Sequence, residues 1–315
     1  MQMAGTKRAG YKLATYKSSE GPRAGLIIGK EVFDAAKLTG KAEYATVMGI
    51  LSHWRTAEGA LKQAAAAAGK SRIKRLPLAK TKLLAPLSTP PTIFCAGANY
   101  ADHAAAMAAK EGQPAPADPH EQGLKPWHFI KAARTIADPG ATVKAADYAK
   151  NLDWEIELAA VIGRPAKDVP VEKALSYVAG YTIANDLSAR DRGRRPGVPQ
   201  TSFFKMDWTK HKSFDGSCPL GPWIVPASDI ADPQKLGLKT WVNGVLKQDS
   251  NSAKMLFSTA EQIAQLSINM TLQPGDLILT GTPSGTGAES GEFLEAGDTV
   301  KLWIEGIGEL SNKIA

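Results

Sequence analysis

Acidic and large apolar residues alternate in the segment 153–158, whose sequence is DWEIEL. Successive side chains of a β-strand point to opposite faces, so on a strand Asp153, Glu155 and Glu157 share one face. Two carboxylates held that close beside a buried strand repel each other unless a cation or a shared proton compensates them. Ligand sets made only of oxygen suit Mg²⁺, Mn²⁺ or Ca²⁺. The segment therefore predicts a divalent-metal site or, as is more common for charge runs, a solvated acidic face.

A further acid and a histidine follow two other predicted strands. Asp186 ends the apolar run 180–185, where it can serve as a third metal ligand, a helix N-cap or an ion-pair partner. His103 follows the strand-like segment 92–95 and a Gly-Asn turn, a placement that suits a general base. A lone histidine is more often structural, so this motif by itself leaves both interpretations open.

The segment 279–287, LTGTPSGTG, is rich in glycine and hydroxyl-bearing residues. Its backbone amides and hydroxyls are suited to hold an anionic group. It is not a P-loop, because no Gly-Lys-Ser/Thr follows, and the chain contains neither a G-x-S-x-G nor an H-E-x-x-H motif. The two cysteines, Cys95 and Cys218, make neither a disulfide framework nor a zinc-ligand cluster.

The spacing of apolar and turn-forming residues predicts a β-rich α+β protein. β-prone runs lie at 11–16 and 24–28, a helix-forming region at 41–69 and a further helix at 258–270. After residue 126, short apolar runs separated by turn residues are typical of a β-rich catalytic domain with few helices. Residues 108–126 predict a mobile surface loop.

A change of composition predicts the domain boundary. The segment 73–91 is basic and contains several prolines, which is typical of a crossing between domains. We therefore predict a small N-terminal domain at 1–88 and a catalytic domain at 89–315.

The 315 residues include 38 basic and 31 acidic side chains, a formal net charge of +7. Such an excess fits nucleic acid, an acidic small molecule or solubility alone. No nucleic-acid-binding module accompanies the arginine-rich segment 190–195, so a small anionic substrate is the better functional interpretation. No apolar run has the length of a signal peptide or a membrane span, so we expect a cytoplasmic protein that binds neither nucleic acid nor membrane.

Taken in order, the motifs of residues 91–313 resemble the fumarylacetoacetate hydrolase family. Each motif is weak alone, but six of them in the family's order with compatible spacing are specific, and residues 21–34 match more loosely. The segments that carry the resemblance are 96–104 (AGANYADHA), 153–158 (DWEIEL) with 161–163 (VIG), 180–182 (GYT) with 185–191 (NDLSARD), 212–215 (KSFD) with 219–222 (PLGP), 274–276 (PGD) with 280–283 (TGTP), and 304–308 (IEGIG).

The resemblance implies a mixed β-roll or β-sandwich catalytic domain of that family behind a small N-terminal domain, usually assembled as a homodimer. It implies a Mg²⁺ or Mn²⁺ site built from Glu155, Glu157 and Asp186. The implied reaction is hydrolysis of a carbon–carbon bond in a β-diketo acid of the acylpyruvate or fumarylpyruvate type, in the catabolism of aromatic or sugar-acid compounds. Relatives also decarboxylate, isomerise or dehydrate 2-oxo acids, and these activities stay open as alternatives.

The resemblance also implies roles for individual residues. His103 would deprotonate the attacking water, and Lys212 would stabilise the developing oxyanion or enolate. Tyr100, Arg190 and Thr282 match positions that contact the substrate in relatives.

One position departs from the family pattern. Many relatives carry His-Ala-x-Glu and pair that glutamate with the histidine, whereas residue 106 here is alanine. Glu111 or Glu121 could supply the missing carboxylate, the reaction could do without it, or the alanine could inactivate the site and leave a silent 2-oxo acid binder. Three retained acidic ligands together with Lys212 favour an enzyme. If the reaction needs the pair, Ala106→Glu is expected to raise turnover of acylpyruvates.

Overall fold

The computed structural model describes residues 9–145 and 149–315. Its strands, in chain order, are β1 (Lys12–Ser18), β2 (Gly21–Ile28), β3 (Glu31–Asp34), β4 (Arg75–Pro77), β5 (Leu83–Leu84), β6 (Ile93–Ala96), β7 (His128–Lys131), β8 (Ile136–Ala137), β9 (Thr142–Val143), β10 (Leu152–Asp153), β11 (Ile156–Ile162), β12 (Val178–Asn185), β13 (Ser188–Ala189), β14 (Cys218–Pro226), β15 (Gly237–Val242), β16 (Val245–Asn251), β17 (Leu277–Leu279), β18 (Thr299–Ile304) and β19 (Gly308–Ile314). Its α-helices are α1 (Ala35–Thr39), α2 (Val47–Ser52), α3 (Trp54–Ala67), α4 (Ala101–Lys110), α5 (Val171–Ala174), α6 (Arg190–Gly193), α7 (Trp208–Lys212), α8 (Thr259–Asn269) and α9 (Gly287–Ser290).

A twelve-stranded sheet runs in the order β4-β3-β2-β1-β14-β12-β11-β17-β6-β7, with β5 paired to β1 and β8 paired to β14. A five-stranded sheet, β16-β15-β18-β19-β9, and the short pair β10-β13 accompany it. Strands β11, β12 and β17 are buried along their whole length, as expected from their nearly continuous apolar sequences. Inward side chains of both sheets share one apolar core, which includes Trp154, Ile183, Leu238 and Ile304. This arrangement confirms the predicted β-rich α+β fold.

Strand polarity gathers polar residues at one edge of the large sheet. β6 and β17 are parallel, whereas β17 and β12 are both antiparallel to β11. The carboxyl ends of β6, β17 and β12 therefore lie beside the amino end of β11. The chain segments at these four ends carry His103, Thr282, Asp186 and Glu155, which are far apart in the sequence.

The predicted acidic strand is interrupted in the structure. Residues of β10 pair with β13, and β11 begins only at Ile156, where it joins the large sheet. At the interruption, the backbone N–H of Glu155 donates to the side-chain oxygen of Asn185 at 3.0 Å instead of to a backbone carbonyl oxygen of the neighbouring strand. A single continuous strand was therefore wrong, although Trp154, Ile156 and Leu158 do pack into the core as the alternation predicts.

The N-terminal residues extend the catalytic sheet. Strand β1 pairs with β14, where Leu13 lies opposite Ile224, and the cores of both parts are continuous. Helix α3 packs on the same sheet, because the indole of Trp54 covers Gly163 just beyond β11. The boundary at residue 88 stays a prediction, and any N-terminal unit shares its sheet with the rest of the chain.

Several local predictions are confirmed. The β-prone runs near the N-terminus form β1 and β2, and the helix-forming region forms α2 and α3. Helix α8 begins at a capping box, in which Ser258 and Glu261 each accept a hydrogen bond from the other's backbone N–H. Residues 111–127 contain neither helix nor strand, but α4 extends to Lys110, three residues into the predicted loop. No helix in the described ranges has the length and apolarity to cross a membrane.

We expect Gly163→Ala to destabilise the protein by about 1–3 kcal/mol, because overpacking a filled core forces neighbours to move. An added Cβ would lie 2.6 Å from Cδ1 of Trp54 and 2.8 Å from Cβ of Ala179. The measurement is urea unfolding followed by circular dichroism. The matched control is Gly59→Ala within α3, where a Cβ meets nothing within 4 Å, and which is expected to stabilise the protein by up to about 1 kcal/mol. Equal unfolding free energies for both variants would contradict the packing of α3 on the sheet.

Candidate metal and proton-transfer site

Three buried carboxylates form the centre of the site. Glu155 and Glu157 lie on either side of Ile156 at the start of β11, and Asp186 directly follows β12. One carboxylate oxygen from each residue lies within 4.8 Å of the others. The three residues are only 5%, 1% and 1% exposed, so the alternative of a solvated acidic face is wrong for this segment.

Two cations compensate Glu155. Nζ of Lys212 donates to Oε2 of Glu155 at 2.7 Å and to Oδ2 of Asp186 at 2.6 Å. Arg190 donates through Nη2 to Oε1 of Glu155 at 2.5 Å and through Nε to Oδ2 of Asp153 at 2.8 Å. Burial opposes ionisation of Glu155, but the charges of Lys212 and Arg190 outweigh it and lower the pKa of this carboxyl to about 2. Burial likewise opposes the charge of Lys212, yet Asp186 and Glu155 raise its pKa above the usual value.

A third cation, Lys131, was missed by the sequence analysis. It is fully buried on β7, and its Nζ donates to Oδ1 of Asp186 at 2.5 Å and to the carbonyl oxygen of Leu187 at 3.1 Å. The available signal was a lysine at the end of a short apolar run, HFIK. That signal does not distinguish Lys131 from the other basic residues, because the contact depends on how distant strands meet.

Glu157 is the carboxylate without a cation of its own. Its Oε2 accepts from the backbone N–H of Gly281 at 2.6 Å, and no lysine or arginine in the described ranges forms an ion pair with it. Burial raises its pKa, and the nearby charges of Asp186 and Glu155 raise it further. A group of three carboxylates that offers only oxygen atoms fits a divalent cation such as Mg²⁺ or Mn²⁺, which would remove this repulsion.

The glycine-rich loop does bind anions, but those anions belong to this chain. Besides the Gly281–Glu157 bond, the backbone N–H groups of Gly287 and Ala288 donate to the carboxylate of Asp153 at 2.6 and 2.9 Å. The backbone N–H of Gly285 donates to Oε2 of Glu289 at 2.7 Å. The loop therefore holds the acidic residues of the site in position.

His103 has a carboxylate partner that the sequence analysis did not consider. Its Nδ1 lies 2.5 Å from Oε1 of Glu289, on the short helix α9, and both side chains are nearly buried. Glu111 and Glu121 are exposed and were therefore the wrong candidates for this partner. A carboxylate accepts hydrogen bonds, so we assign the proton to Nδ1 and the lone pair to Nε2. The absence of glutamate at position 106 therefore does not leave His103 unpaired.

A cavity of about 170 Å³ connects these groups. His103, Lys212, Arg190 and Thr282 all line it, as the resemblance implies for them. The residues that line it are Ala96, Gly97, Ala98, Asn99, His103, Trp127, Phe129, Glu155, Glu157, Arg190, Trp208, His211, Lys212 and Thr282. Tyr100 lies outside this set and is fully buried, so a contact between Tyr100 and the substrate is not supported.

One wall of the cavity is aromatic, which the sequence analysis did not anticipate. Phe129 stacks on Trp208 with ring centroids 5.0 Å apart, and Trp127 meets the edge of Trp208 at 5.7 Å. The ring of His211 also stacks on Trp208, with ring centroids 5.6 Å apart. Burial, together with the charges of Lys212 and Arg190, lowers the pKa of His211 to about 2, so this imidazole is neutral.

Comparison with known proteins identifies the family to which this chain belongs. Residues 92–315 match the model of the fumarylacetoacetate (FAA) hydrolase C-terminal domain. This chain belongs to the fumarylacetoacetate hydrolase family. The matched segment begins four residues after the predicted domain boundary and contains every site residue described above.

Individual relatives in the family carry different activities in their names. The chain is 40% identical over 234 residues to the mitochondrial oxaloacetate tautomerase of Xenopus laevis, covering 74% of this chain and 68% of that one. It is 32% identical to the structure of 2-hydroxyhepta-2,4-diene-1,7-dioate isomerase from Mycobacterium marinum, with a TM-score of 0.70 over 97% of this chain and 98% of the other. It is 28% identical to maleylpyruvate hydrolase from Sphingobium sp. SYK-6 in complex with manganese (II) ion and pyruvate, with a TM-score of 0.71 over 96% and 98%.

We expect Mn²⁺ to raise the thermal unfolding temperature, because a ligand that binds only the folded state stabilises it by about 2.7 kcal/mol at a concentration of 100 Kd. Glu157→Gln is expected to abolish that shift and to raise the unfolding temperature of the metal-free protein, because it removes a repelled buried charge. The measurement is differential scanning calorimetry with and without Mn²⁺. Glu58→Gln, a half-exposed acid on α3, is the control and should keep the full shift. An undiminished shift in Glu157→Gln would place the bound metal elsewhere.

Proposed function

We propose that this protein is a divalent-metal-dependent enzyme that moves a proton at the carbon next to the carbonyl group of a 2-oxo acid, forming and then reprotonating its enolate. The observation that carries the proposal is the convergence of three kinds of group on one cavity. These are the buried carboxylates, the ammonium of Lys212, and His103 bonded to Glu289. They are the smallest set that enolate chemistry needs, namely a site for a Lewis acid, a cation and a base.

Each group has a defined part in such a reaction. A divalent metal held by Glu155, Glu157 and Asp186 would polarise the 2-oxo carbonyl as a Lewis acid. Nε2 of His103 takes the proton from the substrate carbon, while Glu289 keeps the ring oriented and stabilises its charged form. Lys212 supplies a positive charge for the enolate oxygen from inside a site that excludes most water. Return of the proton to the other position completes a keto–enol tautomerisation.

Hydrolysis of a carbon–carbon bond in an acylpyruvate is the second candidate. It also passes through the enolate of a 2-oxo acid, in this case the enolate of the pyruvate fragment, which is reached by a different route. His103 takes a proton from water, the resulting hydroxide adds to the distal carbonyl, and the bond to the adjacent carbon breaks with its electron pair left on the enolate of pyruvate. Protonation of that carbon then releases pyruvate and the second acid. The manganese–pyruvate complex of a hydrolase relative supports this candidate, and the tautomerase relative at 40% identity supports the first.

Assembly and location remain predictions of the sequence. We expect a homodimer and a cytoplasmic enzyme of catabolism. Sedimentation analysis of the purified protein would test the first of these.

We expect the Mn²⁺-loaded protein to accelerate the keto–enol interconversion of oxaloacetate, followed by the absorbance of the enol. Glu289→Ala should lower kcat about 100-fold with little change of KM, because a misplaced base loses most of its advantage while substrate binding is kept. Ala106→Glu should leave kcat unchanged, because Nδ1 of His103 already has its carboxylate. The same proteins are then given acetylpyruvate, and release of pyruvate is measured.

Glu111→Ala is the matched control for Glu289→Ala, since it removes an exposed acid at the end of α4. If Glu111→Ala lowers kcat as much as Glu289→Ala does, the assignment of the His103 partner is wrong. If the loaded wild-type protein accelerates enol formation from neither oxaloacetate nor phenylpyruvate and releases no pyruvate from acetylpyruvate, the proposed function is wrong. Pyruvate release without accelerated tautomerisation selects the hydrolase.

A further inference from the structure

We infer that the substrate is a 2-oxo acid with a single carboxylate and an aromatic or conjugated planar substituent, which stacks on the wall formed by Trp127, Phe129 and Trp208. This inference rests on the proposed function and names the substrate class of that site. It departs from oxaloacetate, the substrate in the name of the Xenopus relative, whose distal group is a second carboxylate.

The aromatic wall is built into the fold and directed at the cavity. Trp127 lies flat on Gly97, where a Cβ would come within 1.9 Å of its Cζ2, so the indole occupies a place that only glycine leaves open. The ring planes of Phe129 and Trp208 are tilted by only 20° from each other. All three rings line the cavity that Glu155 and Glu157 also line, and they lie on strand β7, the residue before it, and helix α7.

The wall leaves aromatic surface exposed. Trp127 is 47% exposed and Trp208 is 37% exposed, although both are large apolar residues at the mouth of a cavity. Contiguous exposed apolar surface beside a cavity marks a binding site. Planar groups stack favourably on such rings, whereas a carboxylate meets the negative face of each ring and loses its water.

Each permanent cation among the described residues of the cavity already bonds two carboxylates of this chain, and Lys212 also serves the enolate oxygen in the proposed reaction, so neither is left for a second substrate carboxylate. Among the described residues that line it, the permanently charged bases are Arg190 and Lys212. Arg190 is already bonded to Asp153 and Glu155, and Lys212 to Glu155 and Asp186. His211 extends the stacked wall, and its two ring nitrogens are buried and bonded to no described group. Burial, together with the charges of Lys212 and Arg190, lowers the pKa of His211. Nζ of Lys212 lies 5.3 Å from the ring centroid of Phe129, so the positive charge beside the wall is one that Glu155 and Asp186 already pair.

The test compares phenylpyruvate with oxaloacetate. These two 2-oxo acids are alike except that phenylpyruvate carries a phenyl group where oxaloacetate carries its distal carboxylate. For the Mn²⁺-loaded wild-type enzyme, kcat/KM for enol formation is expected to be at least tenfold higher with phenylpyruvate. Trp208→Ala should lower kcat/KM for phenylpyruvate about tenfold and that for oxaloacetate less than threefold. Trp208→Arg should reverse the preference, because it places a cation at a half-exposed position of the wall.

Phe203→Ala is the matched control. Phe203 is also an exposed aromatic residue, close to Trp208 in the sequence, but it does not line the cavity. Its replacement should change neither rate. A preference for oxaloacetate in the wild-type enzyme, or equal losses on both acids in Trp208→Ala, would overturn the inferred substrate class and leave the proposed function standing.

A binding measurement separates this failure from failure of the proposed function. Benzoylformate carries the phenyl group and the 2-oxo acid but has no hydrogen on an adjacent carbon to lose. Isothermal titration of the Mn²⁺-loaded protein should show it binding, with Kd about tenfold weaker in Trp208→Ala and unchanged in Phe203→Ala. If benzoylformate binds in this way but neither phenylpyruvate nor oxaloacetate is turned over, the proposed function alone is overturned. A Kd unaffected by Trp208→Ala would overturn the inference.

Discussion

The mutual repulsion of Glu155, Glu157 and Asp186 is the constraint on which the rest of the site depends. Three carboxylates share a space in which their oxygens lie within 4.8 Å of one another, and water reaches almost none of their surface. In such a place ionised groups persist only when cations or hydrogen-bond donors compensate them. Lys212, Arg190 and Lys131 compensate Glu155 and Asp186. Among the described residues, Glu157 receives a hydrogen bond only from the backbone N–H of Gly281. The incomplete compensation at Glu157 makes a dication the natural completion of the cluster.

The same constraint accounts for the loop after β17. Backbone N–H groups of this loop donate to Glu157, Asp153 and Glu289, so one glycine-rich segment orients all three acids together. Two of its glycines, Gly281 and Gly285, have φ of +96° and +95°, a conformation that other residues rarely adopt. The loop therefore couples the position of the carboxylates to the position of His103.

The sequence predicted many residues of the site but not the contacts between residues that are distant in the chain. The alternation at 153–158 predicted that Glu155 and Glu157 share one face. One carboxylate oxygen of each does lie within 4.8 Å of the other, although Glu155 precedes β11. The His103–Glu289 pair joins residues 186 positions apart, and it exists only because β6 and β17 run parallel and end at the same edge. Lys131 was overlooked for the same reason, since nothing local separates it from an ordinary surface lysine. The interruption at Glu155 also escaped prediction, because the bond made there is to Asn185 on another strand.

The aromatic wall shows a further limit of motif-based reasoning. The family motifs contain the residues that would contact the 2-oxo acid end of a substrate under the proposed function, and the resemblance supplied these residues. Trp127 and Trp208 lie outside those motifs, in the stretches before β7 and at the start of α7. Trp127 and Trp208 come into contact only in the folded chain. The sequence therefore could not show which part of the cavity would distinguish one 2-oxo acid from another.

The most direct test of the central claim is the position of a bound metal. Crystals soaked in Mn²⁺ and measured near the manganese absorption edge locate the ion by its anomalous scattering. The account predicts one strong anomalous peak, which places the ion roughly 2.0–2.2 Å from oxygens of Glu155, Glu157 and Asp186. Lys212 should lie beside the ion in the cavity. An empty carboxylate cluster with Lys212 still bridging Glu155 and Asp186 at saturating Mn²⁺ would contradict it.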